Sequence, residues 1–376
     1  MGLLNDDDAC VVLKEHAATG NFVVAEAVLN DEATLNALSL EMIDILEPAL
    51  KRWRDDESVA CVLFTGAGDR AFCAGGDIQA LYRAMTNNHE AGGIVDDYAL
   101  RFFEREYRLD YLVHTYPKPV VTLGHGVVMG GGLGIFSGSQ HRIVTERSRI
   151  AFPEVTIGLF PDAGGTWMLR NIAEGVAAFL GCTGSQINAA DALEIGVATT
   201  SVAGDARDSV LTHLQSIAYS GGESDSGLVG ANLRDMPQAV LPDSQVSRLP
   251  QSMSVAGTYV DVFDRIRALA GASDWVDKGI ATMQRGCPTT VGLVIEQLRR
   301  APSLDLADCF RLELTVATHC AQFEDFAEGV RALLIDKDGR PEWRYGDIGG
   351  LDPGHVMQHF DPPWPHNPLE NLESTT

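Results

Sequence analysis

Apolar and polar positions follow two different periodicities along about the first 200 residues. Short apolar or β-branched runs predict strands, which lie on either side of a turn at 19–21 and then at 58–66, 120–123, 141–145 and 148–152. Apolar residues at helical spacing predict helices at 40–56, 78–85, 94–114, 166–172, 174–180 and 189–195. Pro48 predicts a kink or break inside the first of these helices. Strands that alternate with helices in this way predict an α/β layer architecture.

The pattern changes after about residue 203. Residues 219–255 are rich in Ser, Gly, Asp and Pro and predict an irregular insertion. Helices are predicted again beyond it, at 256–270, 275–284, 289–300 and from a capping Ser303 to about 323. We therefore divide the chain into a core at 1–203, an insertion with a helical C-terminal region at 204–351, and a proline-rich tail at 352–376 without regular structure.

The chain of 376 residues carries a formal net charge of −24. This charge disfavours a nucleic-acid partner, because binding to phosphates needs a basic surface. An anionic small molecule stays compatible with it, since backbone N–H groups and a few local Lys or Arg side chains are enough to hold such a ligand. The composition therefore directs attention to small-molecule chemistry.

Cysteine spacing and the N-terminal residues bear on the compartment. The seven cysteines show no CxxC pair, which favours reduced thiols in the cytoplasm over disulfides or zinc. The acidic start MGLLNDDDAC lacks the features of a signal peptide, and Asp6 stands where a myristoylation signal has Ser or Thr. The histidines show no HExxH spacing, so we expect no metal.

One segment permits a membrane interpretation. Residues 119–140 contain no Asp, Glu, Lys or Arg, and Gly126, Gly130 and Gly134 follow a GxxxG spacing. The same segment holds seven glycines and His125, which favours a buried strand that runs into a glycine turn and a short helix. We therefore expect no membrane partner.

Two glycine-rich loops remain after common signatures are excluded. The chain lacks GxSxG and GxxxxGK[ST], and the dinucleotide-like 66–71 continues as a loop where a helix should start. The loops are AFCAGGD at 71–77, whose Asp77 is suited to cap the next helix, and HGVVMGGGLG at 125–134. Two backbone N–H donors aimed at one point would bind a developing oxyanion. The alternative is that these glycines only relieve crowding in tight turns.

Two carboxylates stand in the nearly apolar segment FPEVTIGLFPDAGGT at 152–166. Glu154 follows one proline of this segment and Asp162 follows another. A carboxylate in apolar surroundings is costly unless it is hydrogen-bonded or functional, and desolvation gives it the basicity that acyl chemistry needs. A structural alternative stays open here, in which Asp162 caps the next helix and Glu154 lies at the surface.

Four motifs together resemble the crotonase (enoyl-CoA hydratase/isomerase) superfamily over about the first 200 residues. They are LNALSLEMI (35–43), GAGDRAFCAGGDI (66–78), PKPVVTLGHGVVMGGGLG (117–134) and FPEVTIGLFPDAGGT (152–166). The resemblance implies an α/β fold, the crotonase-like spiral of ββα units, here with a helical C-terminal region. It also implies an oxyanion hole from the N–H groups of Gly76 and Gly131. CoA would lie against the 71–77 loop as part of the substrate, with no separate cofactor.

Positions that differ within the superfamily favour its hydrolase branch. Hydratases carry one glutamate two residues after the glycine run, but this chain has Gly134 there and retains only Glu154 of the hydratase pair. Asp162 replaces a hydratase glycine, and this combination resembles the hydrolases, as do residues 325–343. In FFEREYRL (102–109), Glu106 matches a substrate-contacting glutamate of that branch. The resemblance thus implies substrate contacts from Glu106, Gly131, Glu154 and Asp162.

The implied activity is hydrolysis of 3-hydroxyisobutyryl-CoA, or a closely related short 3-hydroxyacyl-CoA, as in valine catabolism. Glu154 would attack the thioester carbonyl or activate a water, and Asp162 would bind the 3-hydroxyl. The alternatives are a hydratase or dienoyl-CoA isomerase of the same superfamily, and a non-catalytic CoA-binding paralogue. Related folds often trimerise, but the sequence leaves the oligomeric state open. Candidates for binding the CoA phosphates are Arg70, Arg83 and Lys337.

Overall fold

The computed structural model describes residues 9–372. The acidic start of the chain with Asp6, on which the expectations about targeting rest, lies outside the described residues. The chain forms two compact units, each assembled from three stretches. The first unit comprises Met1–Gly76, Leu109–Ile150 and Ile187–Ser244, and the second comprises Asp77–Arg108, Ala151–Gln186 and Gln245–Thr376. The division at residues 203 and 351 stays a prediction.

The first unit is organised around a six-stranded sheet with the order β1-β2-β3-β5-β7-β9. Only β1 and β2 pair in an antiparallel manner, and every following neighbour is parallel. Parallel strands are covered on both faces, which explains why six of the eight residues of β3 are buried. The strands of this sheet are β1 (Val11–Ala17), β2 (Val23–Leu29), β3 (Val59–Gly66), β5 (Val120–Gly124), β7 (His141–Val144) and β9 (Thr200–Ser201).

A smaller sheet has the order β4-β6-β8. Its strands are β4 (Ala71–Cys73), β6 (Val127–Met129) and β8 (Arg149–Ala151). Strands β4 and β6 pair with each other and lead directly into the glycines at 75–76 and 130–132, so this sheet fixes where those glycine turns begin. The helices that lie wholly in the first unit are α1 (Leu40–Asp55), α4 (Gly131–Gly138), α7 (Ala189–Glu194), α8 (Val210–Gln215) and α9 (Ser224–Arg234).

The predicted alternation of strands and helices is confirmed, with three differences in this unit. The segments predicted as loops at 71–77 and 125–134 are strands in part, since they contain β4 and β6. Helix α1 begins after Ser39, whose Oγ accepts the N–H of Met42, and it continues through the exposed Pro48, so a break at that proline is wrong. The prediction that residues 219–255 are irregular was wrong in part, since this segment contains α9. Val229 and Leu233 of α9 lie four residues apart and pack into the core formed by the large sheet.

The second unit is mainly helical. Helix α6 is buried from Gly175 to Thr183, and Gly181 lets it approach α12 closely, since a Cβ there would lie 2.8 Å from Val294. Helix α3 (Tyr98–His114) belongs to this unit as far as Arg108. The other helices are α2 (Ile78–Ala91), α5 (Gly165–Leu169), α6 (Glu174–Thr183), α10 (Tyr259–Arg267), α11 (Asp274–Arg285), α12 (Pro288–Arg300), α13 (Leu306–Gln322), α14 (Glu324–Val330) and α15 (Pro353–Gln358).

Two expectations for the C-terminal region were wrong. Asp305, and not Ser303, caps α13, because its carboxylate accepts the N–H of Asp308, whereas the Ser303 hydroxyl donates to the carbonyl of Arg300. The tail is not irregular throughout, since α15 forms with Asp352 as its cap. Within residues 9–372, no helix combines the length and the apolar character that a membrane crossing requires.

Candidate active site

The two glycine-rich loops of the first unit lie against each other. Gly75 adopts φ +129° and Gly130 adopts φ +47°, values that favour glycine. A Cβ built on Gly130 would lie 3.1 Å from Gly75 Cα and 3.8 Å from Gly76 N. Gly131 begins α4, and first-turn N–H groups of a helix have no partner within it. The N–H groups of Gly76 and Gly131 thus belong to adjoining segments, and their role as an oxyanion hole stays a prediction.

Gly134 has no room for a side chain. A Cβ at this position would lie 2.5 Å from Oδ2 of Asp110 and 2.8 Å from its Cγ. Asp110 lies in the part of α3 that belongs to the first unit, and its side chain is fully buried. The space into which a hydratase glutamate would extend is therefore filled by a carboxylate from another helix.

Glu154 lies in a 3-10 turn of the second unit, Pro153–Thr156. Its carbonyl oxygen accepts the N–H groups of Ile157 at 3.0 Å and Leu159 at 3.2 Å, which fixes the backbone. The side chain is 4% exposed, so the alternative that placed it at the surface is wrong. Its Oε2 atom is buried and makes no hydrogen bond to any residue of 9–372. Such an atom is costly to bury and is available to a substrate or a water molecule.

Asp162 is held by a side chain and precedes a strained backbone. Its Oδ2 atom accepts a hydrogen bond from Tyr107 Oη at 2.7 Å. Ala163 adopts φ +52°, a left-handed conformation that costs a residue with a Cβ about 1–2 kcal/mol. The cap of α5 is Gly164, without a side-chain hydrogen bond, so the alternative that Asp162 caps this helix is wrong. Asp162 as a whole residue is partly exposed.

Two residues from much later in the chain hold the backbone around Asp162. Glu313 of α13 is fully buried, and its two carboxylate oxygens accept the N–H groups of Gly164 at 2.8 Å and Thr166 at 2.7 Å. Gln297 of α12 donates from Nε2 to the carbonyl oxygen of the residue before Asp162 at 2.5 Å. The acid-bearing turn is therefore fixed on both sides by helices of the second unit.

Burial controls the protonation of these acids. It raises the pKa of Glu154 well above its usual range, and the nearby charge of Asp162 raises it further. Burial also raises the pKa of Asp162 to about 6, although the hydrogen bond from Tyr107 acts in the opposite direction. The pKa of Glu313 rises to about 8 through burial, although the N–H donors lower it. Burial thus opposes ionisation of both Glu154 and Asp162, and the hydrogen bond from Tyr107 offsets this effect at Asp162.

Glu106 is buried on α3, where 2% of it is exposed, and its contact with a substrate stays a prediction. Tyr107 and Glu313 were not among the site residues predicted from the sequence. Tyr107 adjoins Glu106 in the motif already singled out, so the same motif could have drawn attention to it. Glu313 occupies a helical spacing shared with the buried Phe310 and Ala317, and a charged residue at such a position is a recognisable signal.

The remaining candidates lie at the surface. Arg70, Arg83 and Lys337 are all exposed, and their contact with CoA phosphates stays a prediction. In the part of the chain that the structure describes, no three His, Cys, Asp or Glu side chains lie close enough together to hold a metal ion.

The α/β fold, the glycine-rich loops of the first unit and the acids of the second unit are the features that define the class of protein. The chain belongs to the enoyl-CoA hydratase/isomerase family, the crotonase superfamily, whose model matches residues 24–360. The match extends well beyond the 200 residues that carry the motifs, so the helical C-terminal region is part of the family's pattern.

Known relatives and solved structures are similar over nearly the whole chain. The mitochondrial 3-hydroxyisobutyryl-CoA hydrolase of Danio rerio is 34% identical over 88% of this chain and 85% of its own length. That of Gallus gallus is 31% identical over 95% and 90%. A carnitinyl-CoA dehydratase structure from Mycobacterium thermoresistibile matches with a TM-score of 0.82 and 29% identity, over 96% of this chain and 99% of the other. An enoyl-CoA hydratase structure from Rhodobacter sphaeroides gives 0.79 and 29%, over 94% and 98%. The predicted crotonase fold is confirmed.

Proposed function

We propose that this chain hydrolyses the thioester of 3-hydroxyisobutyryl-CoA or of a closely related short 3-hydroxyacyl-CoA. The observation that carries the proposal is the buried Oε2 atom of Glu154, which has no hydrogen-bond partner within 9–372. The pKa of the Glu154 carboxyl group is raised by burial and by the charge of Asp162. Relatives that are 29–34% identical over most of the chain and named 3-hydroxyisobutyryl-CoA hydrolase support the choice of substrate.

Glu154 acts in its unprotonated form, either on water or on the thioester. In the first route it removes a proton from water, the water oxygen bonds to the thioester carbon, and the C–S bond breaks as the proton passes to sulfur. In the second route a Glu154 oxygen bonds to the carbon and expels CoA, and water then opens the mixed anhydride. Both routes yield the hydroxy acid and free CoA. Because burial raises the pKa of Glu154, the rate is expected to increase with pH as this group loses its proton.

The family resemblance assigns the carbonyl oxygen to the N–H groups of Gly76 and Gly131. Each such donor is worth about 3–4 kcal/mol of transition-state stabilisation. Hydration of a double bond is disfavoured, because it needs a second glutamate where this chain has Gly134, and Asp110 occupies the adjoining space. CoA takes part only as a portion of the substrate, so the proposal includes no cofactor.

Asp162 serves the substrate's 3-hydroxyl group. The residue is partly exposed, and the hydrogen bond from Tyr107 favours the ionised form of its carboxylate, which is an acceptor for a hydroxyl donor. A site that hydrogen-bonds a substrate hydroxyl discriminates against the analogue without it, by up to about 10⁴-fold. Isobutyryl-CoA is therefore expected to be hydrolysed much more slowly than its 3-hydroxy counterpart.

Thiol release from three thioesters tests the proposal. The purified protein is supplied with 3-hydroxyisobutyryl-CoA, isobutyryl-CoA and crotonyl-CoA, and free CoA is followed with a thiol reagent. The expected order is rapid release from the first, slow release from the second, and neither release nor water addition with the third. Water addition to crotonyl-CoA without thiol release would assign the chain to the hydratases. CoA binding without any turnover would instead indicate a non-catalytic paralogue.

Compartment and assembly stay predictions. The relatives named above are mitochondrial proteins by their names, whereas a cytoplasmic location was expected for this chain from its acidic start and its cysteines. An acyl-CoA is the partner that the family supports.

A further inference from the structure

Tyr107 holds Asp162 through a fixed ring. Its side chain is fully buried, and its ring packs against Phe103 and Phe310 with centroid distances of 5.9 and 6.0 Å. The hydroxyl group donates to Asp162 Oδ2 at 2.7 Å. A buried ring packed against two aromatic neighbours has little freedom to turn away, which keeps this donor beside Asp162.

The hydrogen bond decides which kind of ligand Asp162 can accept. Burial raises the pKa of Tyr107, so its hydroxyl stays a donor at any working pH. A phenol that donates to a carboxylate favours the ionised form, and an ionised carboxylate is an acceptor only. With one oxygen engaged by Tyr107, the remaining acceptor positions of Asp162 are matched to a ligand that donates a proton, such as a hydroxyl group.

The other titratable groups around Asp162 do not supply this effect. The charge of Asp162 raises the pKa of Glu154 in the Pro153–Thr156 turn and of Glu313 and Cys320 in α13, and such charge interactions are mutual. Negative charge on either glutamate opposes ionisation of Asp162, and the thiol is neutral because burial raises its pKa. Tyr107 is the side chain whose hydrogen bond works in favour of the ionised acid.

We propose that Tyr107 is a positioning residue that determines substrate choice, because it holds Asp162 as an ionised acceptor for the acyl 3-hydroxyl group. This inference rests on the proposed hydrolase function. The measured quantity is the selectivity, defined as kcat/KM for 3-hydroxyisobutyryl-CoA divided by kcat/KM for isobutyryl-CoA, followed from pH 5 to 9. Both substrates need the same form of Glu154, so its ionisation cancels in this ratio.

Tyr107→Phe is compared with the wild type and with Tyr259→Phe. Tyr259 is a matched control in the same unit, since it is also buried and donates to a carboxylate, Glu296 Oε1, at 3.2 Å. In the wild type the selectivity should increase with pH through about 6, as Asp162 loses its proton. In Tyr107→Phe it should fall about 10- to 100-fold at neutral pH, as expected for a lost hydrogen bond to a charged group, and its increase should move to higher pH. Tyr259→Phe should leave the ratio and its pH dependence unchanged.

A second variant covers the case in which Tyr107→Phe does not fold. A ring-fluorinated tyrosine at position 107 keeps the shape of the side chain and donates more strongly, so the increase in selectivity should move to lower pH. The inference is overturned if either folded variant shows the wild-type ratio at every pH, or if it slows both substrates equally. Absence of thiol release by the wild type would overturn the hydrolase function as well, and the two failures are therefore distinguishable.

Discussion

The glycine region of the first unit, residues 124–138, and the acid region of the second, residues 152–166, are built by opposite means. In the glycine region a single added carbon has no place, since a Cβ at Gly132 would lie 2.5 Å from Cys73 and one at Gly134 would lie 2.5 Å from Asp110. In the acid region the side chains are present and are supported from elsewhere, as Glu313 supports the turn after Asp162. The first region leaves no room for a side chain at Gly132 and Gly134, whereas the second holds its acid-bearing backbone through hydrogen bonds from other helices.

This difference predicts two kinds of sensitivity. Close packing makes the glycine region intolerant of added volume, whatever the chemistry of the new group. The acid region is limited by charge, because buried carboxylates are costly and their pKa values shift until they become neutral. Isosteric substitution in the acid region should therefore spare the fold and remove the chemistry, whereas any enlargement in the glycine region should damage the fold first.

Glu154→Gln should give the largest effect on activity. The amide has the shape of the protonated acid that burial favours, but it can neither accept a proton from water nor attack a thioester. We expect thiol release from 3-hydroxyisobutyryl-CoA to fall by about 10³-fold or more, equivalent to about 4 kcal/mol. The midpoint of thermal unfolding should stay the same or increase, because a buried titratable group has been removed.

A matched control is Glu104→Gln on α3, which removes a half-buried glutamate paired with Arg108 at 3.1 Å. Its thiol release should stay within twofold of the wild type, since surface ion pairs contribute only about 0–1 kcal/mol. Undiminished thiol release by Glu154→Gln would show that the carboxylate of Glu154 takes no part in the chemistry.

Gly134→Ala should give the next largest effect, now on stability. The new Cβ meets the Asp110 carboxylate, and overpacking of this kind costs about 3 kcal/mol. Chemical denaturation would measure the loss. The control is Gly227→Ala in α9 of the same unit, where nothing lies within 4 Å of the added carbon and a gain of up to about 1 kcal/mol is expected.

The same clash can be relieved from the other side. In an Asp110→Ala background the Gly134→Ala substitution should cost much less, because the carboxylate that it meets is absent. An equal cost in both backgrounds would show that Asp110 does not limit this position. Contact with the Asp110 carboxylate would then not be what excludes a side chain at Gly134.

How far the sequence predicts these regions depends on the distance between partners. Glu154, Asp162, Gly76 and Gly131 were found because each lies in a short motif, and the buried strands were found from apolar runs. The sequence gives no local signal for Tyr107 as the partner of Asp162, 55 residues away, since pairing across such a separation is decided by tertiary packing.

Helix α9 and the cap of α13 were missed for a different reason. The insertion is rich in residues that favour turns and have weak helix propensity. The burial of Val229 and Leu233 in the core outweighs that weak propensity. At α13, Ser303 and Asp305 both have suitable side chains, and only the backbone geometry decides which one meets a free N–H group. The presence of α9 thus depends on packing, and the capping residue of α13 depends on local backbone geometry, neither of which can be predicted from composition alone.

Glu313→Gln tests whether burial of a carboxyl group in the acid region makes the stability of the protein depend on pH. Burial raises the pKa of Glu313 from its usual 4.5 to about 8, so the folded state retains a proton that the unfolded state has lost between these values. The contribution of this group to stability is full below pH 4.5 and declines as pH increases to about 8. Between pH 6 and 8 the decline should amount to about 2–3 kcal/mol, and it should be absent from the Glu313→Gln variant.

Denaturation with urea at several pH values would measure this dependence in both proteins. Glu154 contributes a slope of the same sign, because its pKa is also raised, so the difference between the wild type and the variant isolates Glu313. Identical slopes would mean that Glu313 is not a buried titrating group. The acid region would then be held by hydrogen bonds without an electrostatic cost.

Asp77→Ala should give the smallest effect, at the residue that directly follows Gly76. Its carboxylate caps α2 by accepting the N–H of Ala80 at 3.0 Å, and removal of such a cap costs about 1 kcal/mol. Asp77→Asn, which retains a capping oxygen, should stay within a few tenths of a kcal/mol of the wild type in the same denaturation experiment. Thiol release should change less than tenfold in either variant, because Gly75 and Gly76 are held by Leu38, which donates its N–H to Gly75 O at 2.7 Å. A loss of activity as large as that of Glu154→Gln would show that the glycine loop depends on α2 for its geometry.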